Sequence, residues 1–125
     1  MAAYDPNNIF ARILRGEIPC KKVYEDEHVF AFHDIHPQAP IHILIIPKGA
    51  YVSFDDFSRL AKPEEIVAFF RAVGAIARQH GLTPGEGAGG YRILANTGRD
   101  GGQEVPHFHV HLFGGRQLGR MISTF

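Results

Sequence analysis

His107, His109 and His111 alternate with apolar residues in the run His107-Phe108-His109-Val110-His111-Leu112-Phe113. A strand sends residues i, i+2 and i+4 to one face, so the spacing predicts three imidazoles in a row with Phe108, Val110 and Leu112 buried behind them. Imidazole is the one side chain whose ordinary pKa lies near neutral pH, which suits it to proton transfer, nucleophilic attack and metal ligation. Such a row can also be a solvated or purely structural face. The metal reading is limited by reach: His107 and His111 would stand about 13 Å apart along a strand, too far for one zinc ion with bonds near ~2.1 Å. Partners are missing too, because Cys20 is the only cysteine and no Cys-x-x-Cys, His-Glu-x-x-His or carboxylate cluster accompanies the triad. Neither a metal nor a cofactor is therefore expected.

Directly ahead of the histidines runs Asn96-Thr97-Gly98-Arg99-Asp100-Gly101-Gly102-Gln103-Glu104. Its glycines let backbone approach a ligand without Cβ interference, and gathered N–H groups can cradle an anion. Alone the stretch reads as an ordinary turn; in front of an imidazole row it becomes a candidate phosphate loop.

The elements that must position these residues follow from pattern. Asn7 to Gly16 carries an asparagine cap, apolar residues at helical spacing and a glycine stop, a short first helix. Lys22 to Tyr24 and His28 to His33 flank the acidic turn Glu25-Asp26-Glu27 as a hairpin. Ile41 to Ile46, framed by Pro40 and Pro47, reads as a buried third strand. Pro63 to His80 opens with Pro63, Glu64 and Glu65, carries Ile66, Phe69, Phe70, Val73, Ile76 and Ala77 on one stripe, and closes before Gly81, the long helix. Tyr91 to Ala95 is a fourth strand, Asn96 to Pro106 a loop, and the histidine run a fifth strand. The expected fold class is α+β, a five-stranded mainly antiparallel sheet with one long and one short helix.

The chain's 125 residues suit one domain, and 45% hydrophobic residues suffice for a core. Thirteen basic residues balance thirteen acidic ones, which argues against an extended nucleic-acid or membrane surface and leaves any phosphate to be bound locally. A lone cysteine precludes an intrachain disulfide, and neither a bilayer-length apolar stretch nor a signal-peptide start is visible; a reducing, cytoplasmic location is expected.

The triad and its supporting segments resemble the histidine triad (HIT) superfamily, and within it the Hint branch of purine nucleoside phosphoramidases. Those segments are Ile9-Phe10, Glu17-Ile18-Pro19, Ala31 to Ile35, Pro37 to Pro40 with His42, Ile46-Pro47-Lys48, Gly101 to Gln103 and Gly114 to Arg116. The resemblance spans nearly the whole chain, 1–125, as a single HIT domain. It implies a homodimer whose two sheets join into one of ten strands, and hydrolysis of nucleoside 5′-phosphoramidates such as adenosine 5′-monophosphoramidate. It places the nucleophile on His109, its orienting and proton-managing partners on His107 and His42, and the α-phosphate contact on His111. Asn96, Gly102 and Gln103 fall on phosphate-loop positions. Ile9, Phe10, Ile13, Ile18 and Phe32 fall on the purine pocket, and Asp34, followed by Ile35, on the ribose site. Without the resemblance those apolar residues would read as core, and Asp34 as a strand-end turn residue.

The chain departs from the family at points. Some relatives carry a serine donor where Glu104 stands, and an ionised carboxylate cannot donate. No tryptophan follows Arg116. Zinc-containing branches carry two cysteines where this chain has Asn8 and Ala11, so no structural zinc is expected. The diadenosine polyphosphate hydrolase branch shares the triad and the glycine-glutamine loop and is the alternative enzyme; a nucleotide-binding or interaction module with incidental hydrolysis is the alternative of another class.

Overall fold

In the computed structural model, which describes residues 3–85 and 87–122, Asn8 begins the first helix, α1 (Ile9–Leu14), by accepting the Ala11 N–H on its side chain at 2.9 Å. This is the work expected of an asparagine cap. A strand β1 (Lys22–Glu25) then pairs antiparallel with β2 (Val29–His33) across a turn organised by Asp26, whose carboxylate accepts the His28 and Val29 N–H groups. The third strand, β3 (Ile41–Pro47), runs one residue further than its sequence suggests, because Pro47 still lies opposite Val29.

Two helices follow. The first, α2 (Phe54–Leu60), has no counterpart in the sequence-based expectation. Its start is nonetheless written in Ser53 and Asp56: Ser53 Oγ accepts the Asp55 N–H at 3.2 Å and the Asp56 carboxylate accepts the Ser53 N–H at 2.7 Å, a reciprocal cap. The long helix α3 (Pro63–Gln79) matches expectation to one residue. Its buried residues Phe69, Ala72, Val73, Ile76 and Ala77 fall at i, i+3, i+4, i+7 and i+8, the stripe of a helix lying on a sheet.

The chain returns through β4 (Tyr91–Leu94), a single helical turn α4 (Gly98–Gly101) inside the expected loop, and β5 (Val110–Gly114). The five strands form one antiparallel sheet in the order β1-β2-β3-β5-β4. The expected fifth strand requires a correction at its start. Pairing begins at Val110, opposite Ile45, and His107 to His109 lie ahead of it. There the Phe108 N–H is taken by the Tyr51 carbonyl at 2.8 Å and the His107 carbonyl by the His109 ring, so the backbone peels away from the ladder.

Alternation persists through that irregular stretch. Val29, Ala31, Ile43, Ile45, Phe108, Val110 and Leu112 join Phe57 and the α3 stripe in the main core. Phe30, Phe32, Leu44 and Ile46 turn to the opposite face and pack with Phe10 and Ile13 of α1. Each large apolar side chain so buried contributes about 1.5–3 kcal/mol. The imidazoles share the face of this second, smaller cluster. No helix among the described residues is long and apolar enough to cross a membrane.

Candidate active site

The protonation of each imidazole follows from its partners. His107 is fully buried; its Nε2 stands 2.8 Å from the Pro47 carbonyl oxygen, which can only accept. The proton is therefore on Nε2. The remaining nitrogen, Nδ1, accepts the Tyr4 hydroxyl at 2.7 Å. Burial pushes the His107 pKa down to about 4, so the ring is neutral at pH 7 with both nitrogens committed.

His109 is tied by Nδ1, which donates to the His107 carbonyl at 2.8 Å. Burial also lowers its pKa, leaving a neutral ring whose Nε2 lone pair has no protein partner among the described residues. The ring lines a cavity, with the edge of Phe10 set against it at a centroid distance of 4.9 Å and His111 at 5.0 Å.

A second chain of bonds ends on His111. The Gln38 backbone N–H donates to His42 Nδ1 at 3.1 Å, which puts the His42 proton on Nε2. His42 is buried and its pKa is lowered by that burial; Nε2–H donates to His111 Nδ1 at 2.9 Å, with an Asp34 carboxylate oxygen 3.4 Å away. His111, neutral with a pKa of about 4 because of burial, consequently carries its proton on Nε2, and its ring too lines the cavity. The site thus offers a lone pair on His109 and an N–H on His111, side by side.

The cavity holds about 440 Å³, within the range of small-molecule sites. Its apolar lining includes Ile9, Phe10 and Ile13 of α1, Ile18, and Phe32 of β2. Asp34, Asn96, Gly102 and Glu104 also line it, as does Ile35, four-fifths exposed. Most sequence-derived candidates meet here. His107 and His42 stand behind the wall, one bond removed from it.

Gln103 does not line the cavity. Its Oε1 accepts the Gly98 N–H at 3.0 Å, its Nε2 donates to the Val52 and Val105 carbonyls at 2.6 and 3.0 Å, and its own N–H goes to the Gly98 carbonyl. The side chain is a strut for the loop. Gly98 and Gly102, at φ +69° and +78°, turn the chain at either end of α4 in the left-handed region that glycine adopts freely. Residues that sequence reasoning gave no role include Tyr4, Gln38, Cys20 and Val105. Gln38 sat in a motif already noted; a bond between residues 4 and 107 leaves no local signal.

Among the described residues, Asp34, His42 and His111 bring three possible ligand atoms within 4.8 Å of one another. That is where a metal ion would fit, at the expense of the His42–His111 bond. The triad as such gathers no ligand set, since both His107 nitrogens are engaged elsewhere.

An antiparallel α+β sheet that turns a histidine row toward a mixed apolar and polar cavity defines a histidine-triad fold. The chain belongs to the HIT domain family, which its residues 15–118 match. It is 66% identical over 120 residues to an uncharacterised HIT-like protein of Azospirillum brasilense, covering 96% of this chain and 95% of that one. It is 48% identical over 116 residues to the purine nucleoside phosphoramidase of Escherichia coli K12, covering 92% of each. The solved HIT family hydrolase of Legionella pneumophila superposes with a TM-score of 0.82 at 41% identity, covering 90% of this chain and 96% of that one.

Proposed function

We propose that the protein hydrolyses purine nucleoside 5′-phosphoramidates, of the adenosine 5′-monophosphoramidate type, to the nucleoside monophosphate and an amine. The observation that carries this reading is the His109 ring: Nδ1 is held by the His107 carbonyl, which leaves a basic Nε2 on a cavity of nucleotide size. The phosphoramidase name of the Escherichia coli relative supports the same reaction.

In the first step the His109 Nε2 lone pair attacks phosphorus, an Nε2–P bond forms and the P–N bond breaks. The departing amine takes its proton from a water molecule, leaving hydroxide, while the neutral His111 keeps its Nε2–H and donates it as a hydrogen bond to a phosphoryl oxygen. As positive charge develops on the His109 ring, the bond from Nδ1–H to the His107 carbonyl strengthens. In the second step that hydroxide adds to phosphorus, the Nε2–P bond breaks, His109 Nε2 regains its lone pair, and the monophosphate leaves. The purine would pack among Ile9, Phe10, Ile13, Ile18 and Phe32. Asp34, beside Ile35, would take the ribose hydroxyls, and Asn96 and Gly102 the phosphate, over a loop that Gln103 holds.

A homodimer is part of the proposal. Among the described residues, strand β4 pairs only with β5 and leaves its outer edge free, with Tyr91 and Ile93 substantially exposed, a surface suited to continuing the sheet to ten strands. A cytoplasmic location accords with the lone cysteine, half-buried Cys20.

The test is acid-quench trapping of radiolabelled nucleotide during turnover, followed by peptide mapping. Label on His109 is expected; full turnover without label under sensitive conditions would favour direct attack by water. Faster turnover of diadenosine triphosphate than of adenosine 5′-monophosphoramidate would move the enzyme to the diadenosine polyphosphate branch.

A further inference from the structure

We propose that Tyr4 is a positioning residue for the histidine row, holding the His107 ring on the Pro47 carbonyl and, through the His107 carbonyl, the orientation of His109. The bearing of this on catalysis rests on the functional reading above; its bearing on the two rings does not.

The argument begins with what holds His107 in place. Residues 107–109 precede the sheet ladder, so no strand pairing locates the His107 carbonyl. Its placement depends on the neighbouring Phe108 N–H, bonded to the Tyr51 carbonyl, and on the two ring bonds of His107 itself, to the Pro47 carbonyl and to Tyr4. That carbonyl is in turn the acceptor for His109 Nδ1–H.

Tyr4 is itself anchored. The Asp5 carbonyl accepts both the N–H and the side-chain amide of Asn8 at 3.2 and 2.8 Å, the Asp5 carboxylate accepts the Asn7 N–H at 2.9 Å, and Arg15 donates to the Pro6 carbonyl at 2.6 Å. The segment ahead of α1 is therefore clamped to that helix. The phenol ring meets the His107 ring edge-on at 5.6 Å while its hydroxyl reaches Nδ1.

Without the hydroxyl, Nδ1 of a fully buried ring would lack a donor. The ring would keep an unsatisfied buried acceptor and be held by the Pro47 bond alone, so it is freer to shift and to loosen that bond. The carbonyl that aims His109 would lose one of its anchors. Tyr4 lies ahead of residues 15–118, the segment that matches the family model.

The experiment compares the full chain with its Tyr4→Phe variant by NMR of ring-¹⁵N-labelled histidines and by steady-state turnover of adenosine 5′-monophosphoramidate. The His107 Nδ1 resonance and the His109 Nδ1–H proton should both move, kcat should fall about tenfold, and KM should stay within about twofold. In a His107→Ala background the same tyrosine change should cost nothing further. Unmoved His107 and His109 resonances overturn the proposal whatever the protein hydrolyses. So does an equal loss of kcat in both backgrounds, or a raised KM with kcat intact. A wild-type protein that leaves the phosphoramidate uncleaved defeats the functional reading alone, because the two ring signals still decide what Tyr4 does.

Discussion

The two faces of the sheet are made from the same strands and do opposite work. Toward α3, the buried residues of β2, β3 and β5 are all apolar, and Phe57, Phe69 and Phe108 fill the layer with stacked and tilted rings at 4.8 to 5.3 Å. Toward α1, the alternate residues of the same strands begin as apolar packing with Phe30, Phe32, Leu44 and Ile46 and end in buried His42 and half-buried His111, with buried His109 just ahead of β5. Period-two alternation thus separates cohesion from chemistry at no cost in chain length. A face that carries imidazoles must keep them neutral, satisfied and reachable, which a purely apolar face never has to do.

If that division holds, damage to one face should not resemble damage to the other. Replacing His109 by Ala should lower kcat by at least about 10⁴-fold, with circular dichroism and nucleotide affinity retained; a variant that keeps turnover would end the division. Replacing Phe69 by Ala should do the reverse, costing about 3–5 kcal/mol in urea unfolding, while kcat per folded molecule at low temperature stays near wild type.

Acid should strike the imidazole face selectively. His107 titrates near 6.5 when unfolded and near 4 when folded, so its neutral burial contributes in full above about pH 6.5. As pH falls from 6.5 toward 4 the unfolded chain takes up the proton first, and roughly 3 kcal/mol of stability is lost from His107. Urea midpoints at several pH values should show that decline, and Phe69→Ala should displace the curve without changing its slope. Because His109 is shifted the same way, the acid limb of kcat/KM should lie below pH 6.5. The smallest effect concerns the cavity wall: Ile18→Ala should raise KM about tenfold and leave kcat almost unchanged.

Periodicity carried most of this into the sequence. The stripe of α3, the asparagine cap of α1 and the alternation from His107 to Leu112 each state a local geometry that tertiary packing then respected. Helix α2 escaped notice because its seven residues include three of the apolar type spread around charged ones, while its one clear sign, Ser53 answered by Asp56, is brief. The first residues of the histidine run were expected in the sheet; a competing partner, the Tyr51 carbonyl, captured Phe108 and ended the pairing early. Tautomers were beyond reach for a related reason. They are set by the Gln38 N–H and the Pro47 and His107 carbonyls, whose contacts with the histidines depend on folding rather than on spacing; the bonds of the Gln103 side chain to Gly98, Val52 and Val105 were equally out of reach.

The position of β5, with β3 on one side and β4 on the other, bears on how this segment can change over generations. Exchanging one apolar residue for another between the histidines alters packing by a small amount. Inserting or deleting a single residue there would transpose every later side chain to the opposite surface, driving His111 into the oily layer and Leu112 into the cavity. Length in this stretch is thus under stricter selection than composition, and lineages should vary its letters while preserving its count.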